Sequence, residues 1–225
     1  YRRITGGRDL LKLLEGGYET DVVTAIYGPA GSGKTTTCLL AAVSVALNKE
    51  DKSKKIIFID TEGGFSTERL QQLSDDYRKV IDKILLLKPT TFADQKKCVE
   101  TIASYPTSKI GLIVFDTISS LYRIERGEDD VSLNRELGKQ LASLLNIARN
   151  SNIPVLITTP VYADFEDRTK VKMVGGDIIK YSSKCLIELQ TFHGGLRKAV
   201  LRKHRSLPEK EAAFRIVEQG FEEAE

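Results

Sequence analysis

Residues 28–35 read Gly28-Pro29-Ala30-Gly31-Ser32-Gly33-Lys34-Thr35, and no other stretch narrows the available folds as much. A glycine, four free positions and then Gly-Lys-Thr is the spacing of a phosphate-binding loop. The glycines let the backbone curl so that successive N–H groups face inward at a helix N-terminus, where partial positive charge collects and an anion is stabilised. The flanks agree with this. Asp21-Val22-Val23-Thr24-Ala25-Ile26-Tyr27 enters as an apolar, β-branched strand, and Thr36-Thr37-Cys38-Leu39-Leu40-Ala41-Ala42-Val43 leaves as a helix. A Gly-rich turn with a solvated lysine is the plainer alternative, and it does not require this strand–loop–helix order. The motif predicts that Lys34 reaches the β- and γ-phosphates of ATP and that the Thr35 hydroxyl binds Mg²⁺. Gly28, Pro29, Ala30, Gly31, Ser32, Gly33, Lys34, Thr35 and Thr36 are the candidate ATP contacts.

A chain of 225 residues, 41% hydrophobic and 29% charged, accommodates one large α/β domain, and two would be cramped. The net charge of +3 permits a nucleic-acid partner without arguing for one. Cys38, Cys98 and Cys185 lie far apart with no C-x-x-C pair, and only His193 and His204 could join them. A disulfide framework or structural zinc site is not expected, and a reducing, cytoplasmic setting fits. The longest apolar run, residues 38–47, is too short to span a bilayer, and no signal peptide is visible.

Residues 9–15 read as a short helix stopped by Gly16-Gly17. Unalternating apolar strands follow at residues 55–60, 84–87, 110–116 and 153–159, as parallel strands covered on both faces require. Between them, helices are predicted from Thr67 towards Tyr77, from Thr91 to Ser104 before Tyr105-Pro106, and over residues 133–150. A loop is expected over residues 162–176. The last third changes character: residues 185–189, 199–203 and 213–217 read as antiparallel strands joined by turns, ending in a short acidic tail. The expectation is an α/β fold with a mostly parallel central sheet and antiparallel strands at its C-terminal end, one domain over residues 1–225.

Asp116, closing an apolar strand, is placed to hold Mg²⁺ with Thr35. Glu62 follows the strand at residues 55–60, which is expected to lie beside the phosphate-loop strand. From the carboxyl ends of the sheet it can orient and deprotonate the attacking water, and a solvated loop carboxylate is the alternative.

Four stretches carry a resemblance over nearly the whole chain. They are the phosphate loop, residues 59–70 with Asp60-Thr61-Glu62-Gly63-Gly64-Phe65, Val114-Phe115-Asp116 with Leu121-Tyr122-Arg123, and residues 201–209 with Lys203-His204-Arg205-Ser206-Leu207-Pro208. The chain resembles the RecA/RadA recombinase superfamily, most closely the small archaeal paralogues of RadA. The resemblance implies a RecA-like ATPase core, with Glu62 and Lys34 as catalytic residues and Arg69 stacking on adenine.

It also implies that Lys203 and Arg205, on one face if they share a strand, match paired basic residues that bacterial RecA and KaiC-type ATPases insert into a neighbour's γ-phosphate site. A solvated or DNA-facing basic strand is the equal alternative. DNA contacts are implied at two loops, the first carrying Arg123 and Arg126, the second Tyr162, Phe165, Arg168, Lys170 and Lys172. Acidic neighbours in both predict modest, salt-sensitive affinity without sequence preference, and a mixed-charge mobile loop is the plainer reading of the second. One departure stands out. Where recombinases carry Asn-Gln to sense the γ-phosphate, this chain has Thr159-Pro160, and proline has neither a side-chain amide nor a backbone N–H.

The resulting expectation is a weakly hydrolysing, ATP- and Mg²⁺-dependent protein that binds DNA, single-stranded for preference, and assists homologous recombination and repair. It would lack an N-terminal helical DNA-binding domain, form at most a dimer or small oligomer, and act beside a RadA-type recombinase. Two rivals remain: a recombinase mediator that uses ATP as a conformational ligand, and a KaiC-like ATPase switch not acting on DNA.

Overall fold

The computed structural model describes residues 3–4, 13–49, 52–125, 131–163 and 171–224. In chain order, β1 (Arg3–Ile4) pairs with β2 (Tyr18–Glu19), and β3 (Val23–Gly28) runs into the phosphate loop and α1 (Lys34–Ala46). Then come β4 (Lys55–Asp60), α2 (Thr67–Leu73), α3 (Tyr77–Ile81), β5 (Ile84–Leu87), α4 (Phe92–Ser104), β6 (Ile110–Asp116), α5 (Ser120–Glu125) and α6 (Val131–Ser151). The chain continues with β7 (Val155–Ala163), β8 (Val171–Met173), α7 (Gly176–Ser182), β9 (Cys185–Thr191), β10 (Leu196–Lys203), β11 (Lys210–Val217) and β12 (Gly220–Glu223).

A ten-stranded sheet has the order β12-β11-β10-β9-β3-β7-β6-β4-β5, with β8 hydrogen-bonded to β7. From β9 to β5 all neighbours are parallel, and from β9 to β12 they are antiparallel. Alternate residues of each strand feed two cores. Ile56 and Phe58 pack on one face with Cys38, Leu39 and Ala42 of α1, while Ile57 and Ile59 pack on the other with Val99 of α4 and Leu141 and Leu144 of α6. Each fully buried Ile or Phe contributes about 1.5–3 kcal/mol. α6 buries Leu137, Leu141, Leu144 and Ala148, a single stripe at helical spacing. Among the described residues, no helix is long and apolar enough to cross a membrane.

Four expectations change. β4 does not lie beside β3, because β7 and β6 stand between them. Burial explains the edge alone: β5, with none of its residues fully buried, ends the sheet, whereas β3, β4 and β6 are about equally buried and their burial does not rank them. The helix from Thr67 breaks at Ser74, which is extended (φ −157°, ψ 129°) and whose hydroxyl accepts from Asp76 N at 3.2 Å. Serine and aspartate compete in this way with helical hydrogen bonds. The loop over 162–176 is partly a hairpin, with Tyr162 opposite Lys172, and the acidic tail contributes Glu222 and Glu223 to β12. Of the short first helix, Leu13 and Leu14 are helical and buried, while residues 9–12 lie outside the described residues.

Candidate nucleotide site

The carboxyl ends of β3, β4 and β6 meet at the mouth of α1. Its N-cap is Gly33 in the left-handed region (φ 105°), with no side-chain cap and no acidic residue in the first turn. The first N–H groups are therefore left for an external anion, and no carboxylate repels it. A methyl carbon on Gly33 would lie 3.3 Å from the side chains of both Ile216 and Phe221, so the C-terminal strands form one wall of the loop. Lys34 Nζ donates to the carbonyls of Gly28 at 2.8 Å and Pro29 at 2.9 Å. Burial lowers its pKa, and the carboxylates of Asp116 and Glu62 act the other way. Ser32 Oγ is buried with no hydrogen-bond partner among the described residues.

The Thr35 hydroxyl donates to Asp116 Oδ2 at 2.6 Å and the Thr158 hydroxyl to Oδ1 at 2.5 Å. Burial raises the Asp116 pKa, the Thr158 and Thr35 hydroxyls oppose that, and the nearby Glu62 and Asp60 carboxylates add to it. Among the described residues there is no cluster of three or more His, Cys, Asp or Glu side chains arranged for a metal. A hydroxyl and one carboxylate beside an uncapped helix end suit Mg²⁺, which takes few protein oxygens and completes its shell with water and phosphate. The uncapped N–H groups, the orphan Ser32 hydroxyl and this oxygen pair together fit a Mg²⁺–nucleotide. Thr35 and Asp116 would hold the cation, Lys34 and the loop amides the phosphates, and the cation would supply charge neutralisation.

Glu62 sits in a loop laid against this pair, so close that a methyl carbon on Gly64 would lie 3.3 Å from Thr35 Oγ1. Although β6 and β7 separate β4 from β3, the loop reaches the site because Asp60 is level with Asp116 on the adjacent strand and Thr61 N donates to Asp116 O at 3.0 Å. The Asp116–Thr117 peptide bond is cis. The Glu62 carboxylate accepts from Ser120 Oγ, whose hydroxyl lies 2.5 Å from that of Thr117.

Arg69 lies on the first turn of α2, and its guanidinium donates to the carbonyls of Val217 at 2.9 Å and Glu218 at 3.0 Å. That places it between α2 and the β11–β12 turn. Lys203 and Arg205 do not share a strand face, because β10 ends at Lys203 and its edge pairing is already shifted there. Lys203 Nζ caps the end of α7 through the carbonyls of Lys180 and Ser183, while Arg205 forks onto Asp21 and also reaches Glu19. Both lie at the end of the sheet away from the chain's own phosphate loop, so a role at a γ-phosphate requires a second subunit.

The Arg205 hydrogen bonds hold the Asp21 carboxyl below its ordinary value. A depressed folded pKa contributes stability above the unfolded value and loses it as pH falls through the folded one. Asp21→Asn is therefore expected to cost about 0.5 kcal/mol at neutral pH, as a partly exposed pair does, and the difference should close at a pH acid enough to protonate the carboxyl in the folded protein. Urea denaturation at both pH values checks this.

Of the expected DNA contacts, Arg123 is exposed on α5, and Tyr162, 41% exposed, faces the same side of the hairpin as Lys172. Arg126, Phe165, Arg168 and Lys170 lie outside the described residues. The hydroxyl of Thr159 bonds Ser119 Oγ at 2.5 Å and Val174 O at 2.9 Å.

Sequence reasoning missed four groups at the site. Thr158 was hidden inside an apolar strand, and Ser120 is one hydroxyl among several. Asp60 was overshadowed by Glu62, although an aspartate before Gly-Gly is a recognisable turn signal. Arg197 of β10 donates to Gly31 O of the phosphate loop at 2.9 Å, and nothing local marks it.

Comparison with known proteins agrees with the fold. The Rad51 family matches residues 2–224. A DNA repair and recombination protein RadB from Methanobrevibacter smithii is 40% identical over 217 residues, 93% of this chain and 91% of that protein. The RadB of Methanocaldococcus jannaschii is 37% identical, over 95% of this chain and 98% of its own. A crystal structure of the RadB recombinase matches with a TM-score of 0.84 at 36% identity, covering 99% of this chain and 100% of that one. The fold is thus the RecA-like α/β architecture that the sequence motifs imply, and the chain belongs to the Rad51 family, with archaeal RadB proteins among its relatives over nearly its whole length.

Proposed function

We propose that the chain is a RecA-type ATPase core that binds ATP with Mg²⁺, hydrolyses it slowly, binds DNA modestly and assists homologous recombination and repair. The observation that carries this is the 2.6 Å contact between Thr35 and Asp116 with the Glu62 loop laid against it. Phosphate ligand, metal ligand and a carboxylate able to activate water converge from three separate stretches of chain. The recombination role is supported by the relatives, which are DNA repair and recombination proteins by name.

The mediator reading has its own support. Thr159 stands where recombinases carry the first residue of the sensing pair, and its hydroxyl is committed to Ser119 and Val174, with Pro160 following. No amide is present there to read a γ-phosphate and pass the signal to DNA. In that reading ATP sets a conformation that a RadA-type partner recognises, and turnover is incidental.

Steady-state ATP turnover at low salt, with and without single-stranded DNA and with Glu62→Gln as the blank, separates the two. A severalfold stimulation by DNA that is lost in the variant supports a DNA-coupled ATPase. Turnover unmoved by DNA beside clear ATP binding supports the mediator, and ATP-dependent hexamers indifferent to DNA would point to a switch of the KaiC type.

A further inference from the structure

β4 and β6 end level with each other in two carboxylates, Asp60 and Asp116, on adjacent parallel strands. Asp116 turns its oxygens to the hydroxyls of Thr35 and Thr158. Asp60, 2% exposed, is instead taken up by its own loop. Its Oδ1 accepts from the backbone N–H groups of Glu62 at 3.2 Å, Gly63 at 2.8 Å and Gly64 at 3.1 Å, and its Oδ2 accepts from Phe65 N at 3.1 Å. Three donors crowd Oδ1, one more than its two lone pairs, and one sits on Oδ2. Asp60 thus holds its own loop, whereas Asp116 holds the Thr35 and Thr158 hydroxyls.

We infer that Asp60 is the positioning residue for Glu62, an inference that rests on the reading of Glu62 as the base. Four consecutive N–H groups converge on one carboxylate only if the chain wraps around it. Gly63, at φ 74° with open space beside it, closes that curl. The loop's other end is tied to β6, since the Thr61 hydroxyl donates to Thr117 O at 2.8 Å and accepts from Thr117 N at 2.9 Å. The backbone of Glu62 is thereby fixed between two strand ends, and its carboxylate is left pointing at Thr117 and Ser120 beside the metal pair. A base on a free loop would sample many positions, and water activation depends on holding one of them.

The test is Asp60→Asn. The amide oxygen can keep the three donors at Oδ1, while the NH₂ group opposes Phe65 N–H, so the curl loosens without emptying the site. In nucleotide-free protein, the amides of residues 62–65 are expected to exchange about tenfold faster, the effect of weakening one hydrogen-bonded anchor. Single-turnover hydrolysis at saturating ATP should fall about tenfold, with the affinity for a non-hydrolysable analogue kept within about twofold. On a Glu62→Gln background the same change should cost nothing further, because the two residues act as one unit. Gly63→Ala, which strains the same curl from the exposed side, should reproduce the pattern if Asp60→Asn folds poorly.

Equal losses of turnover in both backgrounds, or a parallel loss of nucleotide affinity, overturn the inference and leave the base assignment standing. Wild-type turnover in Glu62→Gln alone overturns the base assignment, and this inference with it.

Discussion

Lys34→Ala is expected to raise the dissociation constant for ATP about a thousandfold while leaving the fold intact. Without phosphates, the ammonium is solvated by two loop carbonyls at 2.8 and 2.9 Å, and burial already lowers its pKa. Exchanging neutral carbonyls for anionic phosphate oxygens adds the attraction between opposite charges to each hydrogen bond, in a site already partly shielded from water. Two such bonds at about 2 kcal/mol each amount to roughly three orders of magnitude in affinity. The thermal midpoint should barely move, because truncation removes a partly desolvated charge along with its two acceptors' donor, and these effects oppose each other. Calorimetric titration with Mg²⁺–ATP, together with a melt, reads both quantities. A less than tenfold loss of affinity would mean that the phosphates do not sit in this loop.

How much of this was legible in the sequence depended on whether a feature is local. The strands at Lys55–Asp60, Ile84–Leu87 and Ile110–Asp116 match their expected ranges residue for residue, because an unbroken apolar run bounded by polar residues has few other solutions. α4 begins and ends where Thr91 and Tyr105-Pro106 say it must, and Thr91 Oγ1 accepts from Asp94 N at 3.0 Å. What sequence could not order was the sheet. Nothing in β4 says that two later strands will be inserted between it and β3, since parallel strands paired in any order bury the same side chains. β12 was misread as a tail because Glu222 and Glu223 occupy an edge strand whose outer side meets water. α5 and α7 are too short to show a helical period.

The site divides along the same line. Lys34, Thr35 and Asp116 were singled out because their motifs carry their own geometry, and the structure joins Thr35 to Asp116 across a sequence separation of 81 residues. Thr158 and Arg197 were missed because their contacts are made only by tertiary packing. Lys203 and Arg205 were paired on the assumption of a continuing strand, which the bulge at the end of β10 defeats. Arg69 was singled out by resemblance alone, as an adenine contact, and its hold on the Val217 and Glu218 carbonyls could not have been read from the first turn of a helix.

The sharpest steric consequence of the fold falls on Gly28, where β3 becomes the loop. A methyl group there would overlap the carbonyl oxygen of Leu189 on β9 and lie 2.8 Å from Ser32 Oγ. Neither strand can step aside, because β3 is flanked on its other edge by β7 and β9 by β10. Gly28→Ala is therefore expected to destabilise the protein by about 1–3 kcal/mol, as overpacking at a fixed backbone does, and to abolish detectable ATP binding by shifting the loop from its helix. Gly31 is the control. Its surroundings are open, with nothing within 4 Å of where a methyl carbon would sit, but its φ of 72° is left-handed. Gly31→Ala should cost about 1 kcal/mol from backbone strain alone and leave β3 against β9. Urea denaturation and nucleotide titration of the two variants separate steric overlap from strain. If Gly28→Ala proves as stable as Gly31→Ala and still binds ATP, then β3 and β9 do not pack as closely as this sheet requires.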